Sequence, residues 1–186
     1  MRFQVAVSLV LMAVAVVALP AWSAEEATGM KSEMVMPFGG EADVAFAKAL
    51  WTAIDGYRDW PIASEYYASN APHGAFVKIH YSVVTVDKTP YHVIVKDNFA
   101  GEGATLETVA ENPADFLSWV TVMVQREAGY DRENNDWFWV NYGPDGMIRT
   151  TDTGMAMAGR VAKGMSMGCI ACHANAAGSD YFFTND

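Results

Sequence analysis

The strongest constraint on this chain is the pentapeptide Cys-Ile-Ala-Cys-His at residues 169–173. Two thiols three positions apart, followed at once by an imidazole, form the attachment signature of a c-type haem. Each thiol can add to one vinyl group of the same porphyrin, and the imidazole of the next residue can then bind the iron. The motif therefore predicts one covalently attached haem c, held by Cys169 and Cys172, with His173 as the metal ligand.

The cysteine count narrows the alternatives. Cys169 and Cys172 are the only two cysteines in the sequence, which excludes a four-cysteine zinc site. A structural disulfide between residues so close would close a very small loop and constrain the unfolded chain little. A thioredoxin-like dithiol pair is expected near a βαβ unit, whereas this motif stands close to residue 186. A redox-active disulfide is therefore the second interpretation, behind haem attachment.

The first residues predict export. Arg2 precedes an almost unbroken apolar run over residues 5–19, and small residues follow as far as Ala24. This pattern is typical of a secretory signal peptide, and the run is shorter than the roughly 20 residues that cross a bilayer. We expect residues 1–24 to be removed after Ser23 or Ala24, with no lipid anchor, because no cysteine follows the run. The periplasm is the expected location, since bacteria attach haem to such motifs outside the cytoplasm.

The rest of the chain is expected to form one domain with an acidic surface. Residues 25–40 lack clear periodicity and are expected to be a loose leader, whereas residues 41–186 suffice for a single haem domain. The whole sequence carries a formal net charge of −10, and loss of Arg2 makes it more acidic. Such a surface repels nucleic acid and anionic membranes. It suits a cationic periplasmic electron-transfer partner or a small neutral substrate, although acidity that only maintains solubility explains the charge equally well.

Hydrophobic periodicity predicts an α+β fold that is mainly antiparallel sheet. Helical spacing of apolar residues over residues 41–57 indicates an N-terminal amphipathic helix. Alternating or β-branched segments, joined by short turns, indicate four strands in an antiparallel meander. These strands are predicted at residues 75–86, 91–99, 116–127 and 136–142. Residues 154–168 are rich in Ala, Met and Gly, and we expect there a short C-terminal helix that carries the cysteines onto the haem.

The hairpin register decides which way Lys96 points. With a loop of two or four residues within 87–90, Lys96 stands opposite Tyr81 and Ile94 opposite Val83. Lys96 then faces the apolar side of the first long strand, whereas a three-residue loop would turn it outward. An interior lysine is costly unless it is neutral or paired. Periodicity alone therefore favours an ordinary solvated lysine.

The order of several softer motifs adds a resemblance. Trp60-Pro61 and His73-Gly74 precede the first long strand, and Val-Ile-Val-Lys ends at Lys96. Val-Thr-Val-Met-Val, Asn-Asp-Trp-Phe-Trp, Tyr-Gly-Pro-Asp-Gly and Cys-x-x-Cys-His follow, with Asp180, Phe182 and Phe183 after them. In this order the chain resembles the cytochrome P-460 family, most informatively over residues 73–183. The resemblance implies a mainly antiparallel β fold that carries one c-type haem.

The resemblance also implies an activity. Family members oxidise hydroxylamine, and with nitric oxide they can make nitrous oxide, at a five-coordinate iron with an open distal side. A strand lysine bonds to the porphyrin edge, and Lys96 occupies the matching position. The family's pocket arginine falls on Lys78 and its pocket glutamate near Thr121, and both departures count against hydroxylamine turnover. Glu107 and Glu127 are the acidic residues that could replace the glutamate.

Three functions are therefore predicted as competitors, and the sequence leaves open whether the protein is an enzyme. The first is an oxidoreductase that acts on hydroxylamine or nitric oxide and needs Lys96 bonded to the haem. The second is a protein similar to cytochrome c-prime-beta, which binds nitric oxide or carbon monoxide without turnover, with Phe76 or Phe99 as an apolar cap. The third is an electron carrier with a sixth ligand on the iron. Exposed strand edges would permit a homodimer.

Other residues that could bind iron are given a structural interpretation. Four methionines close to the haem motif are expected to pack on the haem rather than to bind iron. These are Met155, Met157, Met165 and Met167. The remaining histidines, His73, His80 and His92, are expected at the surface or in loops.

Overall fold

The computed structural model describes residues 37–183, so the predicted signal peptide and most of the predicted leader lie outside the described residues. The framework is a six-stranded antiparallel sheet in which the strand order follows the chain order. Its strands are β1 (Tyr67–Ala68), β2 (Phe76–Val86), β3 (Thr89–Phe99), β4 (Leu117–Gln125), β5 (Trp137–Tyr142) and β6 (Ala158–Gly159). The α-helices are α1 (Glu41–Ala53), α2 (Leu106–Glu111), α3 (Pro113–Phe116) and α4 (Cys169–His173).

The predicted class, α+β with mainly antiparallel sheet, is confirmed. Within residues 37–183 no helix has the length and apolarity needed to span a bilayer.

Helix α1 covers one face of the sheet. It begins at Glu41 as predicted, but it ends at Ala53, and the remainder of the predicted span forms a turn and a short 3-10 helix from Tyr57 to Asp59. Its buried side packs on apolar side chains that alternate along the strands, as expected for a sheet with one face against a helix. These are mainly valines, with Phe138 and Tyr142. We call this side of the sheet the helix face.

The β2–β3 hairpin turns through two residues only. Asp87 and Lys88 have φ values of 49° and 70°, the left-handed conformation that both central residues of a type I′ turn adopt. The register pairs Ile79 with Lys96 and Tyr81 with Ile94, so the predicted pairing of Lys96 with Tyr81 is wrong by two positions. The cause is that residues 89 and 90 already belong to β3. A shift of two residues preserves the face, and Lys96 lies on the predicted side of the sheet.

The chain after β5 folds across the other side of the sheet, which we call the cavity face. Phe38, Val161 and Ile170 pack there on Met123 and Trp139. The helix predicted over residues 154–168 is wrong, because this segment forms turns and strand β6. Glycines at positions 154, 159, 164 and 168 all have positive φ, a conformation that a right-handed helix does not contain. The short C-terminal helix is α4, which begins at the first cysteine.

Candidate haem site

A cavity of about 400 Å³ lies between the cavity face and the C-terminal segment. This volume is within the range of protein sites for small molecules and cofactors. Its lining contains Cys169, Cys172 and His173 from α4 and Lys96 from β3. The four residues predicted to bind the cofactor are therefore neighbours in space, although more than 70 positions separate the lysine from the cysteines.

Helix α4 presents the two thiols to this cavity. It follows Gly168, which has a φ of 127°, and a Cβ at that position would collide with the side chain of Ala162. Only glycine both adopts this φ readily and lacks the Cβ that would collide, so a glycine at position 168 allows the chain to turn tightly into α4. Cys169 and Cys172 carry free thiols. Burial raises the pKa of the Cys169 thiol to about 11, so this sulfur is protonated at neutral pH.

The imidazole of His173 is fixed in one orientation and in its neutral form. Its ring is buried, with centroids 4.7 Å from Trp139 and 5.3 Å from Phe183. Its Nδ1 lies 2.7 Å from the carbonyl oxygen of Tyr181, which can only accept, so Nδ1 donates and Nε2 keeps its lone pair. Burial lowers the pKa of His173 to about 4, against the effect of that hydrogen bond. The imidazole is therefore neutral at pH 7, the form that binds metals.

Lys96 reaches the cavity from the middle of the sheet. Ile79 on β2 and Thr121 on β4 flank it. Burial lowers the pKa of Lys96 to about 8, although the two cysteines of α4 oppose this change. Within residues 37–183 no carboxylate forms an ion pair with it. Part of the amine population is therefore unprotonated and nucleophilic near pH 8.

Comparison with known families matches residues 54–184 to the family described as Cytochrome P460. The chain belongs to the Cytochrome P460 family. The match spans the whole sheet and α4, and it confirms the resemblance seen in the motif order. Membership supports a haem-binding, iron-containing cytochrome. Comparisons with curated proteins and with solved structures found no match.

The residues of the cavity fit the cofactor of the Cytochrome P460 family. Trp139 lines the cavity, and its buried Nε1 has no hydrogen-bond partner among residues 37–183. A buried donor of this kind needs an acceptor, and haem carries two carboxylates. Within the same residues no cluster of three or more acidic, histidine or cysteine side chains could hold a bare metal ion. Iron in a porphyrin needs only axial ligands from the protein, and the imidazole of His173 is available.

Asn98 is not itself part of the cavity lining, but its side chain holds three residues that are. Its side chain is fully buried, and its Nδ2 donates to the carbonyl oxygens of Lys96 and Trp119 at 2.9 and 3.2 Å and to Thr121 Oγ1 at 3.2 Å. Its Oδ1 lies 3.2 Å from His73 Nδ1. Sequence reasoning missed Asn98, although its position two residues after Lys96 on the same strand indicates that both face the same side.

His73 lies in a loop, as expected, but it also lines the cavity. It lies in the loop before β2, and its ring centroid is 6.1 Å from that of His173. Burial, and then the nearby Lys96 and His173, lower the pKa of His73 to about 4. The loop assignment was correct, but no periodic pattern exists in a loop from which the direction of this side chain could be predicted.

Several other expected site residues lie elsewhere. Lys78 points to the helix face, where its Nζ is 4.7 Å from the ring centre of Tyr66, so it does not take the place of the family's pocket arginine. The cavity lining includes Thr121, as predicted, but neither Phe76 nor Phe99, so the predicted cap is wrong. The candidate bases Glu107 and Glu127 are not part of this lining either.

The remaining candidate iron ligands are also absent from the lining. The four methionines of residues 155–167 do not line the cavity, whereas Met123, which sequence reasoning did not single out, does. Met165 and Met167 are 48% and 80% exposed, so their predicted packing on the haem is wrong. His80 is not at the surface as expected but is buried on the helix face beside Asp97, and His92 is exposed as expected.

Proposed function

We propose that this chain is an exported monohaem cytochrome c of the periplasm that oxidises hydroxylamine or reacts with nitric oxide. One observation carries the proposal: two free thiols, a neutral imidazole and an interior lysine line one cavity of about 400 Å³. The haem, when bound, supplies an iron that exchanges single electrons and binds a small ligand. Cys169 and Cys172 would hold it by thioether bonds, and His173 would be its proximal ligand.

The protein's own groups would tune and orient this site. The hydrogen bond from His173 Nδ1 to Tyr181 fixes the ring and makes Nε2 a stronger electron donor. Apolar side chains on the cavity face keep water away from the reacting atoms. They include Val77, Ile79, Ile94 and Met123. Oxidation of neutral hydroxylamine to neutral nitric oxide releases one proton for each electron, and the electrons would pass to a periplasmic redox partner.

We further propose that the amine of Lys96 bonds to the porphyrin edge. The new C–N bond replaces one C–H bond of the porphyrin and one N–H bond of the lysine. It releases two protons and an electron pair, which a peroxide could accept. The position of Lys96 in the cavity and its lowered pKa support this step, because the attacking species is the unprotonated amine.

A second candidate function is binding of nitric oxide or carbon monoxide without turnover. One observation favours it: within residues 37–183 no aspartate or glutamate lines the cavity. Turnover of hydroxylamine needs a group that accepts its protons, and Thr121, which stands near the position of the family's glutamate, is a poor base. The neutral imidazole of His73, which also lines the cavity, or water would then have to accept the protons.

Intact mass and the absorption spectrum of the reduced protein test the proposal. The mature protein, produced in a host competent in cytochrome maturation, should weigh as much as the polypeptide plus one haem, less one hydrogen from each partner of the lysine bond. A Soret band far to the red of an ordinary cytochrome c should accompany that mass. A colourless product with the mass of the bare polypeptide would contradict the haem assignment.

Substitution of Lys96 isolates the cross-link. Lys96→Ala should keep the haem but return the spectrum of an ordinary cytochrome c and restore the two hydrogens to the mass. Lys48→Ala, at an exposed position of α1, is the matched control and should leave both unchanged. An unaltered spectrum in Lys96→Ala would mean that the lysine is not attached. Reduction of an artificial electron acceptor in the presence of hydroxylamine then separates the enzyme from the gas-binding protein.

A further inference from the structure

Two tryptophans of β5 connect the cavity to the protein surface. Trp139 lines the cavity, and its ring centroid lies 4.7 Å from that of His173. Trp137 is two residues earlier on the same face of the strand, with its ring centroid 6.5 Å from that of Trp139. Both belong to the motif Asn-Asp-Trp-Phe-Trp. The proposed function gives neither indole a role in electron transfer.

Trp137 is at the outer end of this pair. Its Nε1 donates to the carbonyl oxygen of Asp180 at 2.9 Å. Its side chain lines an open surface cleft, together with Gln125, Arg132, Asn135, Asp136 and Asp180. Within residues 37–183 this cleft and the cavity have no lining residue in common. The two indoles therefore extend from the predicted iron ligand to a separate site on the surface.

Rings placed in this way pass single electrons. An indole loses one electron from its π system more readily than any aliphatic side chain, and it can do so without first losing its proton. The probability that an electron tunnels between two π systems falls steeply with their separation, so steps of 4.7 and 6.5 Å between ring centroids are favourable. His173 and the two indoles therefore form a continuous path for electrons.

The surroundings decide which indole holds a positive charge better. Trp139 is 3% exposed, so a cation on its ring is largely cut off from water, which is costly. Trp137 is 9% exposed and lies at the open cleft, where the carboxylates of Asp136 and Asp180 outnumber the guanidinium of Arg132. Once Trp139 has lost an electron, Trp137 therefore replaces it.

We propose that Trp137 and Trp139 carry single electrons from the surface cleft to the haem site when a peroxide oxidises that site. This proposal rests on the proposed function for the presence of haem, and it leaves the iron open on the side opposite His173. It adds a peroxide-reducing activity, in which a small one-electron donor such as a phenol is oxidised at the cleft. The same path protects the haem from oxidative destruction.

The electrons and protons balance in both modes of the reaction. Reduction of one hydrogen peroxide to two waters takes two electrons and two protons, and iron that is ferric before and after supplies no electron on balance. Two phenol molecules supply both, each losing one electron and its O–H proton. Without a donor, Trp137 loses two electrons in succession and takes up the oxygen of one water, which releases two protons. The indole then gains one oxygen atom.

Mass mapping of peptides from the peroxide-treated holoprotein tests the path. Trp137 should gain one oxygen atom before the haem spectrum bleaches, and guaiacol, a neutral phenol, should suppress that gain. Trp139→Phe should lose the modification of Trp137, because a phenyl ring is much harder to oxidise than an indole. Trp51→Phe is the matched control, since Trp51 packs on Tyr142 at the helix face, and it should leave the modification unchanged.

Electron paramagnetic resonance of samples frozen soon after peroxide addition gives a second measurement. The wild-type holoprotein should show an organic radical whose lines change when the protein contains ring-deuterated tryptophan. Trp137→Phe should confine that radical to Trp139 and should make the haem bleach faster, because the path to the cleft is cut. If Trp139→Phe does not retain haem, the wild type and Trp137→Phe decide between the outcomes.

Three results would overturn the proposal. The first is oxidation of Tyr67, which also lines the cavity, while Trp137 stays unmodified. The second is a Trp139→Phe holoprotein in which Trp137 is oxidised as in the wild type. Both leave the proposed function intact, because the haem is present. The third is a mature protein without haem, which would overturn the proposed function and this proposal with it.

Discussion

Lys96 and Asp97 are neighbours on β3, yet the two faces of the sheet treat their charges in opposite ways. Asp97 lies on the helix face, is 2% exposed, and accepts hydrogen bonds from the Tyr57 hydroxyl and from Arg58 at 3.1 and 3.2 Å. His80 Nε2 lies 3.4 Å from the same carboxylate. Lys96 lies on the cavity face, where no carboxylate of residues 37–183 forms an ion pair with it. A buried charge with partners holds the fold together, whereas one without partners is available for chemistry.

The pKa values show the same contrast. Burial by itself would raise the pKa of Asp97, but His80, the Tyr57 hydroxyl and Arg58 lower it below its usual value. Burial lowers the pKa of Lys96 to about 8, and the cysteines only partly oppose that effect. The carboxylate is therefore stabilised in its charged form, and the amine is shifted toward its neutral form.

The two faces of the sheet also differ in how closely their side chains are packed. On the helix face Phe138 is completely buried among the valines of the sheet. On the cavity side Phe183 lines the cavity and is 48% exposed. The filled face stabilises the sheet, and the hollow one leaves room for a cofactor.

The largest effect should come from removing an aromatic ring from the filled face. Phe138→Ala should lower the free energy of unfolding by about 3 to 5 kcal/mol, because it leaves a large cavity in a close-packed core. Phe183→Ala removes the same atoms from the hollow side and should cost about 1 kcal/mol, in line with an exposed position. Urea unfolding of both holoproteins measures the difference. Equal losses would mean that the two faces are packed alike.

Removal of the buried carboxylate charge should have the next largest effect. Asp97→Asn should lower the free energy of unfolding by about 2 kcal/mol, because the buried carboxylate loses the charge that strengthens its hydrogen bonds from Tyr57 and from the half-exposed Arg58. Asp152→Asn, at an exposed position, is the matched control and should stay within about 0.5 kcal/mol of the wild type. Urea unfolding at pH 7 is again the measurement. A loss no larger than that of the control would show that the Asp97 cluster is not stabilising.

The smallest effect is a change in pH dependence. Because the folded-state pKa of Asp97 is lowered, its contribution to stability is fully present above the unfolded pKa of about 3.9. The contribution is lost as the pH falls through the folded-state pKa. Urea midpoints of the wild type should therefore fall below about pH 4 more steeply than those of Asp97→Asn. Parallel curves would contradict a lowered pKa for this residue.

Sequence patterns predicted which strands and helices exist better than they predicted where these elements end and which residues they contact. Alternation located β2 to β5, and the haem motif located α4, because these patterns are local. The hairpin register was wrong because the turn uses Asp87 and Lys88 alone, a choice that periodicity does not contain. Over residues 154–168 composition suggested a helix, but glycines with positive φ form turns there instead.

The candidate site was only partly predicted, because some of its residues form a local motif and others meet only in the folded chain. The cysteines and His173 form a contiguous motif, and the lysine followed from the family resemblance. His73 and Asn98 were missed, although they contact each other, because 25 positions separate them and one of them lies in a loop. The Tyr57–Asp97 contact was missed likewise, since it joins positions 40 apart.

The sequence by itself determined the class of fold, the family and the attachment motif, because each is given by short local patterns and by their order along the chain. Only the tertiary structure decided which face of the sheet is filled and which is hollow, where each histidine points, and which buried charge has partners. Those outcomes depend on packing between distant segments, and packing is a property of the folded chain that no local pattern records.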